Sequence, residues 1–304
     1  MTDSSASSKP AKRGSVVHLD PRTSHTRHHA HYLATACELA YLSEPTGRPK
    51  FRELLDLDAE LISVDNTQAY VGENDDCIVV AFRGSQSPTS LDGVKDWLLT
   101  NARNFLVIPS GRIGTDFAAA GVGARFHRGF LEALDEIWAP LYASVDQRFA
   151  ASERPVWVTG HSLGGALALL FAWRLHQNFI PVHQVCTFGA PMIGNQAAAA
   201  AFAREFPSKV FRYVDAGDLV PRLPMMSLLH NNYNHCEQEI VVGQSNMQKA
   251  ANVIQTVATT AAAKAATATL SSDVVDLIWG EIRQGMPSHL MGNYLTRLAD
   301  DEET

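Results

Sequence analysis

The run Gly160-His161-Ser162-Leu163-Gly164-Gly165 carries the strongest chemical signal in the chain. It fits G-x-S-x-G, a turn that raises a serine hydroxyl at a strand-to-helix junction. Residues 156–159 (VWVT) read as a buried strand before it. Residues 163–177, with Leu163, Leu167, Leu170 and Phe171 at helical spacing, read as the helix after it. Glycines flank the serine because side chains would collide in so tight a turn. A serine at its ordinary pKa is a weak nucleophile, so it needs a base, and the base needs an orienting acid. With this turn the chain order is serine, carboxylate, histidine. Asp215 and Asp218 follow the strand-like residues 210–214 and both fit the acid by position. His230, His235 and His289 come later, and spacing alone does not choose among them.

Other reactive side chains are less telling. His25, His28, His29 and His31 cluster near the start, but their spacing matches no standard metal site, so they read as a polar helix entrance. Cys37, Cys77, Cys186 and Cys236 form no CxxC pair, which argues against a zinc site or a dense disulfide framework. Cys77 and Cys186 sit in apolar runs and read as small buried hydrophobes, with a disulfide as the alternative.

Elements able to position the serine recur along the chain. Residues 77–82 (CIVVAF), 156–159, 185–188 (VCTF) and 210–214 (VFRYV) are unalternated apolar runs, as strands covered on both faces require. Residues 69–72 are short and ambiguous. Residues 32–41, 129–149, 163–177 and 197–206 have helical character, and Glu44, Pro45 and Gly47 are expected to end the first of these helices. Alternating strand and helix predicts an α/β fold with a parallel sheet. Residues 1–25 are expected to be a flexible polar tail and 26–304 a single domain, with residues 245–275 forming a helix plus connection.

The composition, 46% hydrophobic and 19% charged over 304 residues, excludes disordered, collagen-like and coiled-coil proteins. A net charge of −7 argues against a nucleic-acid partner. No apolar block marks a classical signal peptide and no run is long enough for a membrane helix, so the expectation is a soluble chain, cytoplasmic or exported by another route.

Several ordered motifs resemble the class 3 lipases, the fungal-type triacylglycerol lipases and their bacterial and plant relatives. They are Ala81-Phe-Arg-Gly-Ser85, Phe126-His127-Arg-Gly129-Phe130, the serine turn, Thr187-Phe-Gly-Ala-Pro191 with Gly194-Asn195, and residues 211–224 (FRYVDAGDLVPRLP). Together they span residues 77–235, with weaker likeness over 32–45. The resemblance implies an α/β-hydrolase fold with a mostly parallel central sheet flanked by helices. It also implies a carboxylic-ester hydrolase acting on acylglycerol or similar lipid esters, without metal or organic cofactor. By the same likeness Ser162 is the nucleophile, Asp218 of D-x-V-P the acid, and His289, in the segment ending at Tyr294, the base. Asp215 is then structural or solvent-facing, and His235 with Glu239 is structural. Leu163 and Ser85 are the implied oxyanion donors, and His127 and His161 are structural. A lid is implied within residues 86–101, with 105–123 as a second candidate flap; ordinary surface loops are the alternative for both. A phospholipase, an acyltransferase, an aryl esterase or a non-catalytic lipid-binding module are the alternative functions.

Overall fold

The computed structural model describes residues 18–85, 106–222, 233–243, 280, 283 and 285–300. The expectations for residues 1–17, 86–101 and 245–275, and the candidate His230, lie outside the described residues.

A seven-stranded sheet has the order β1-β2-β3-β6-β7-β9-β11. β1 (Asp58–Val64), β2 (Thr67–Glu73) and β3 (Ile78–Phe82) pair antiparallel. β3, β6 (Val156–His161), β7 (Val182–Phe188), β9 (Val210–Asp215) and β11 (Gln238–Val242) pair in parallel. All residues of β3 and β6 are buried, which is why both lack alternation. A smaller sheet joins β4 (Leu106–Val107), β5 (Phe126–His127), β8 (Gly194–Asn195) and β10 (Tyr233–Asn234).

The helices form two layers. Helices α3 (Gly111–Phe117), α4 (Arg128–Ala151), α5 (Leu163–Gln177) and α6 (Gln196–Glu205) pack one core around Phe130, Leu134, Ile137, Leu170 and Phe171. Helices α1 (Arg27–Leu39), α2 (Glu44–Leu55) and α7 (Met291–Asp300) close the other face, around Leu33, Phe51, Trp157 and Tyr294. The two burial clusters meet at the sheet, so each central strand contributes side chains to both.

Three expectations change. Glu44, Pro45 and Gly47 do not merely end α1; they open α2, where proline stands in the first turn and loses no hydrogen bond. Leu19, within the segment expected to be a tail, is 3% exposed and packs in the core. Two of the four histidines near the start are packing residues rather than part of a polar entrance: His25 stacks on Phe211 at 3.8 Å, and buried His29 meets Trp157 edge-on at 5.0 Å. All four cysteines are buried and free.

Candidate active site

β6 ends at His161, and α5 begins at Leu163. Ser162 joins them with φ 57° and ψ −129°, a conformation that non-glycine residues rarely hold. The Ser162 N–H donates to the Phe188 carbonyl at 2.9 Å, and its carbonyl accepts from the Gly165 N–H at 2.9 Å. These bonds tie the strained residue to β7 and to the first turn of α5. The neighbouring glycines are required by contact rather than by dihedral freedom. A Cβ at Gly160 would overlap the Gly164 carbonyl, and one at Gly164 would fall 2.5 Å from the Phe82 carbonyl oxygen.

Asp218 lies in the loop after β9 and is fully buried. Its Oδ2 accepts from His289 Nδ1 at 2.8 Å and from the Tyr294 hydroxyl at 2.6 Å, while Oδ1 accepts from the Val220 N–H at 2.9 Å. A carboxylate so served stays in place and needs no solvent. The Nδ1–H of His289 is thereby committed to Asp218, and Nε2 is left to take a proton. His289 ends a helical turn over residues 285–289 and is 4% exposed. Among the described residues no hydrogen bond joins Ser162 to His289. Catalytic hydrogen bonds often tighten only with substrate bound. Gly189, at φ 60°, makes room for the pair; a Cβ there would lie 2.7 Å from Asp218 Oδ2 and 3.0 Å from His289 Nδ1.

His161 sits directly behind. Its Nε2 lies 2.6 Å from the His289 carbonyl oxygen, and its Nδ1 lies 2.7 Å from the Tyr41 hydroxyl. A carbonyl only accepts, so Nε2 carries the hydrogen and Nδ1 accepts from Tyr41. Burial, then the nearby His289 imidazole, push the His161 pKa well below the usual histidine range. With both nitrogens occupied, His161 is not available as a base. Burial and the Asp218 carboxylate raise the Tyr294 hydroxyl well above its ordinary pKa, which keeps it a donor.

The end of β3 supplies the opposite wall. Arg83 bonds Gln68 and the Asn66 carbonyl, which anchors the chain as it leaves the sheet. A Cβ at Gly84 would come 2.9 Å from the His161 carbonyl oxygen and 3.2 Å from Ser162 Cβ. Ser85 therefore follows directly on a residue in contact with the elbow, and its buried Oγ has no hydrogen-bond partner among the described residues. Leu163 opens α5, so its N–H belongs to a helix N-terminus that favours negative charge.

The remaining candidates lie elsewhere. His235 precedes β11, and its pKa is pushed down to about 3 by burial and by Arg212. Asp215 is buried and binds the Gly217 N–H at 2.8 Å, Asn293 Nδ2 at 3.0 Å and Arg297 Nε at 3.3 Å. It thus anchors α7 rather than facing solvent. His127 caps α4 through Nδ1 and the Phe130 N–H at 3.3 Å. The described part of the second candidate flap is built into the fold, because Ile113 and Phe117 are buried and Asp116 is held by Arg174 at 2.8 Å. Tyr294 and Tyr41 are the site residues that motif reading left without a role; Tyr294 is marked only as the end of the segment that carries His289, and Tyr41 only as an aromatic hydroxyl in a helix-like stretch. Among the described residues no group of three or more His, Cys, Asp or Glu is placed to hold a metal.

Serine turn first, carboxylate next, imidazole last, on a mostly parallel sheet covered by helices, is the order of an α/β-hydrolase fold. Within that class the family model described as lipase (class 3) matches residues 79–228 of the chain. It is similar to secreted mono- and diacylglycerol lipase 1 of Fusarium solani, with 35% identity over 165 residues, 53% of this chain and 43% of that protein. It is also similar to a chloroplastic phospholipase A(1) of Arabidopsis thaliana, with 24% identity over 57% of this chain and 39% of that protein. The chain thus spans under half the length of these curated relatives. Among solved structures, the one described as a serine protease triad forming the catalytic centre of a triacylglycerol lipase matches with a TM-score of 0.54. That match has 27% identity and covers 71% of this chain and 80% of the other.

Proposed function

We propose that this protein hydrolyses carboxylic esters with lipid-like acyl groups, acylglycerols foremost, through an acyl-enzyme. Ser162 Oγ attacks the ester carbonyl while His289 Nε2 takes its proton. Asp218 holds the imidazole in the required tautomer and balances its charge. The Leu163 and Ser85 amides stabilise the oxyanion, and the Ser85 hydroxyl adds a donor. His289 then protonates the leaving alcohol, and water, activated by the same imidazole, releases the acid. The observation that carries this reading is the buried His289–Asp218 bond of 2.8 Å beside a serine held at φ 57°. The lipase names of the Fusarium relative and of the solved structure support the substrate class.

A phospholipase is the second reading, favoured by the Arabidopsis relative. Both readings predict burst kinetics with a p-nitrophenyl ester and loss of turnover in Ser162→Ala; full activity in that variant overturns both. Fatty-acid release from a diacylglycerol but not from a phosphatidylcholine, measured side by side, selects the first. Among the described residues no helix is long and apolar enough to cross a membrane. Lipid contact is inferred to be transient and apolar, since a net charge of −7 disfavours anionic surfaces and Leu290, beside His289, is 37% exposed. The location stays between cytoplasm and export, with the secreted Fusarium relative weighing toward export.

A further inference from the structure

The segment that bears His289 is held at both of its ends by the N-terminal helix. At the near end, Tyr41, just past α1, donates to His161 Nδ1, and His161 Nε2 donates to the His289 carbonyl. At the far end, Arg27, the first residue of α1, donates from Nε to the Leu298 carbonyl at 2.7 Å and from Nη2 to the Arg297 carbonyl at 2.9 Å. Those carbonyls belong to the last turn of α7, where a cation complements the helix dipole. The 13 residues of α1 rise about 20 Å and the 10 residues of α7 about 15 Å at about 1.5 Å per residue, so α1 is long enough to reach along α7. The same Tyr41 hydroxyl lies where a Cβ at Gly84 would be, against the residue that precedes Ser85.

We propose that α1 is a positioning clamp for the catalytic imidazole, with Arg27 and Tyr41 as positioning residues acting through α7 and His161. This rests on the reading of His289 as the base. The clamp sets where Nε2 stands relative to Ser162 without touching substrate. A displacement of about 1 Å is enough to cost on the order of 100-fold in rate.

The test uses the full chain and an alkyl fluorophosphonate, with labelling of Ser162 read by mass spectrometry and turnover read with a p-nitrophenyl ester. Tyr41→Phe and Arg27→Met are expected to lower kcat and the labelling rate by about 10- to 100-fold, with KM within about twofold and thermal unfolding still cooperative. In a His289→Ala background the same substitutions are expected to change the slow residual labelling by less than about twofold, since residues that act as a unit are not additive. His161→Gln, which keeps a donor for the His289 carbonyl, is expected to recover rate relative to His161→Leu. If Arg27→Met does not fold, Arg27→Lys carries the same comparison. Wild-type rates in Tyr41→Phe and Arg27→Met overturn the clamp, as do equal losses with and without His289. If the unmutated protein is not labelled at Ser162, the ester-hydrolase reading itself fails and the clamp fails with it.

Discussion

At the scale of single residues, the site depends on positions where one atom more or less decides the outcome. Ser162 keeps a backbone conformation that costs roughly 1–3 kcal/mol, and the hydrogen bonds to β7 and α5 hold it there. Gly189 shows the converse, an absent side chain that leaves room for Asp218 and His289. Gly189→Ala is expected to push the pair apart and lower kcat/KM by at least about 100-fold, a loss that steady-state kinetics would read directly. Asp218→Asn keeps the shape but no longer dictates the imidazole tautomer, so kcat should fall by about 10⁴. Tyr294→Phe removes a charge-assisted bond to Asp218 in a fully buried place and should cost about 1.5–3 kcal/mol in urea unfolding.

At the scale of elements, caps and strand ends do the positioning. His127 caps α4 with its imidazole, and burial pushes its pKa down to about 3. The unfolded chain binds that proton near the ordinary histidine pKa of about 6.5, so the unfolded state takes up more protons between those values. Stability is therefore full above about pH 6.5 and falls as pH drops toward 3. His127→Asn keeps a capping acceptor without the titration, and its melting temperature should fall less steeply than the parent's across that range. A parallel slope in both proteins would show that other groups dominate acid unfolding. Strands β3, β6, β7 and β9 were legible in sequence because burial on both faces leaves continuous apolar runs. β1 and β11 were not, because their faces are half exposed and mixed in polarity. The start of α2 was misread because proline and glycine signal an ending as readily as a first turn.

At the scale of the whole molecule, the site gathers chain positions 84–85, 162–163, 218 and 289 beyond the C-terminal ends of the central strands. The serine and its turn were legible from local spacing. The partners were not legible from spacing, which left Asp215 or Asp218 and three histidines open; the family likeness named Asp218 and His289, which lie 2.8 Å apart in the fold. What ties the helices of one layer to each other was hidden for the same reason. Arg174, fully buried on α5, bonds Asp116 at 2.8 Å and Asp135 at 3.2 Å and lies over the Trp138 ring at 3.8 Å. Arg174→Ala leaves Asp116 without its cation and should cost about 3–5 kcal/mol, measured by chemical unfolding. The most direct test of the whole arrangement is fluorophosphonate labelling of native and denatured protein, mapped by mass spectrometry. A single adduct on Ser162 in the native chain, lost on denaturation and slowed at least about 1000-fold in His289→Ala, is the predicted result. An adduct elsewhere, or no adduct until the chain unfolds, contradicts the account.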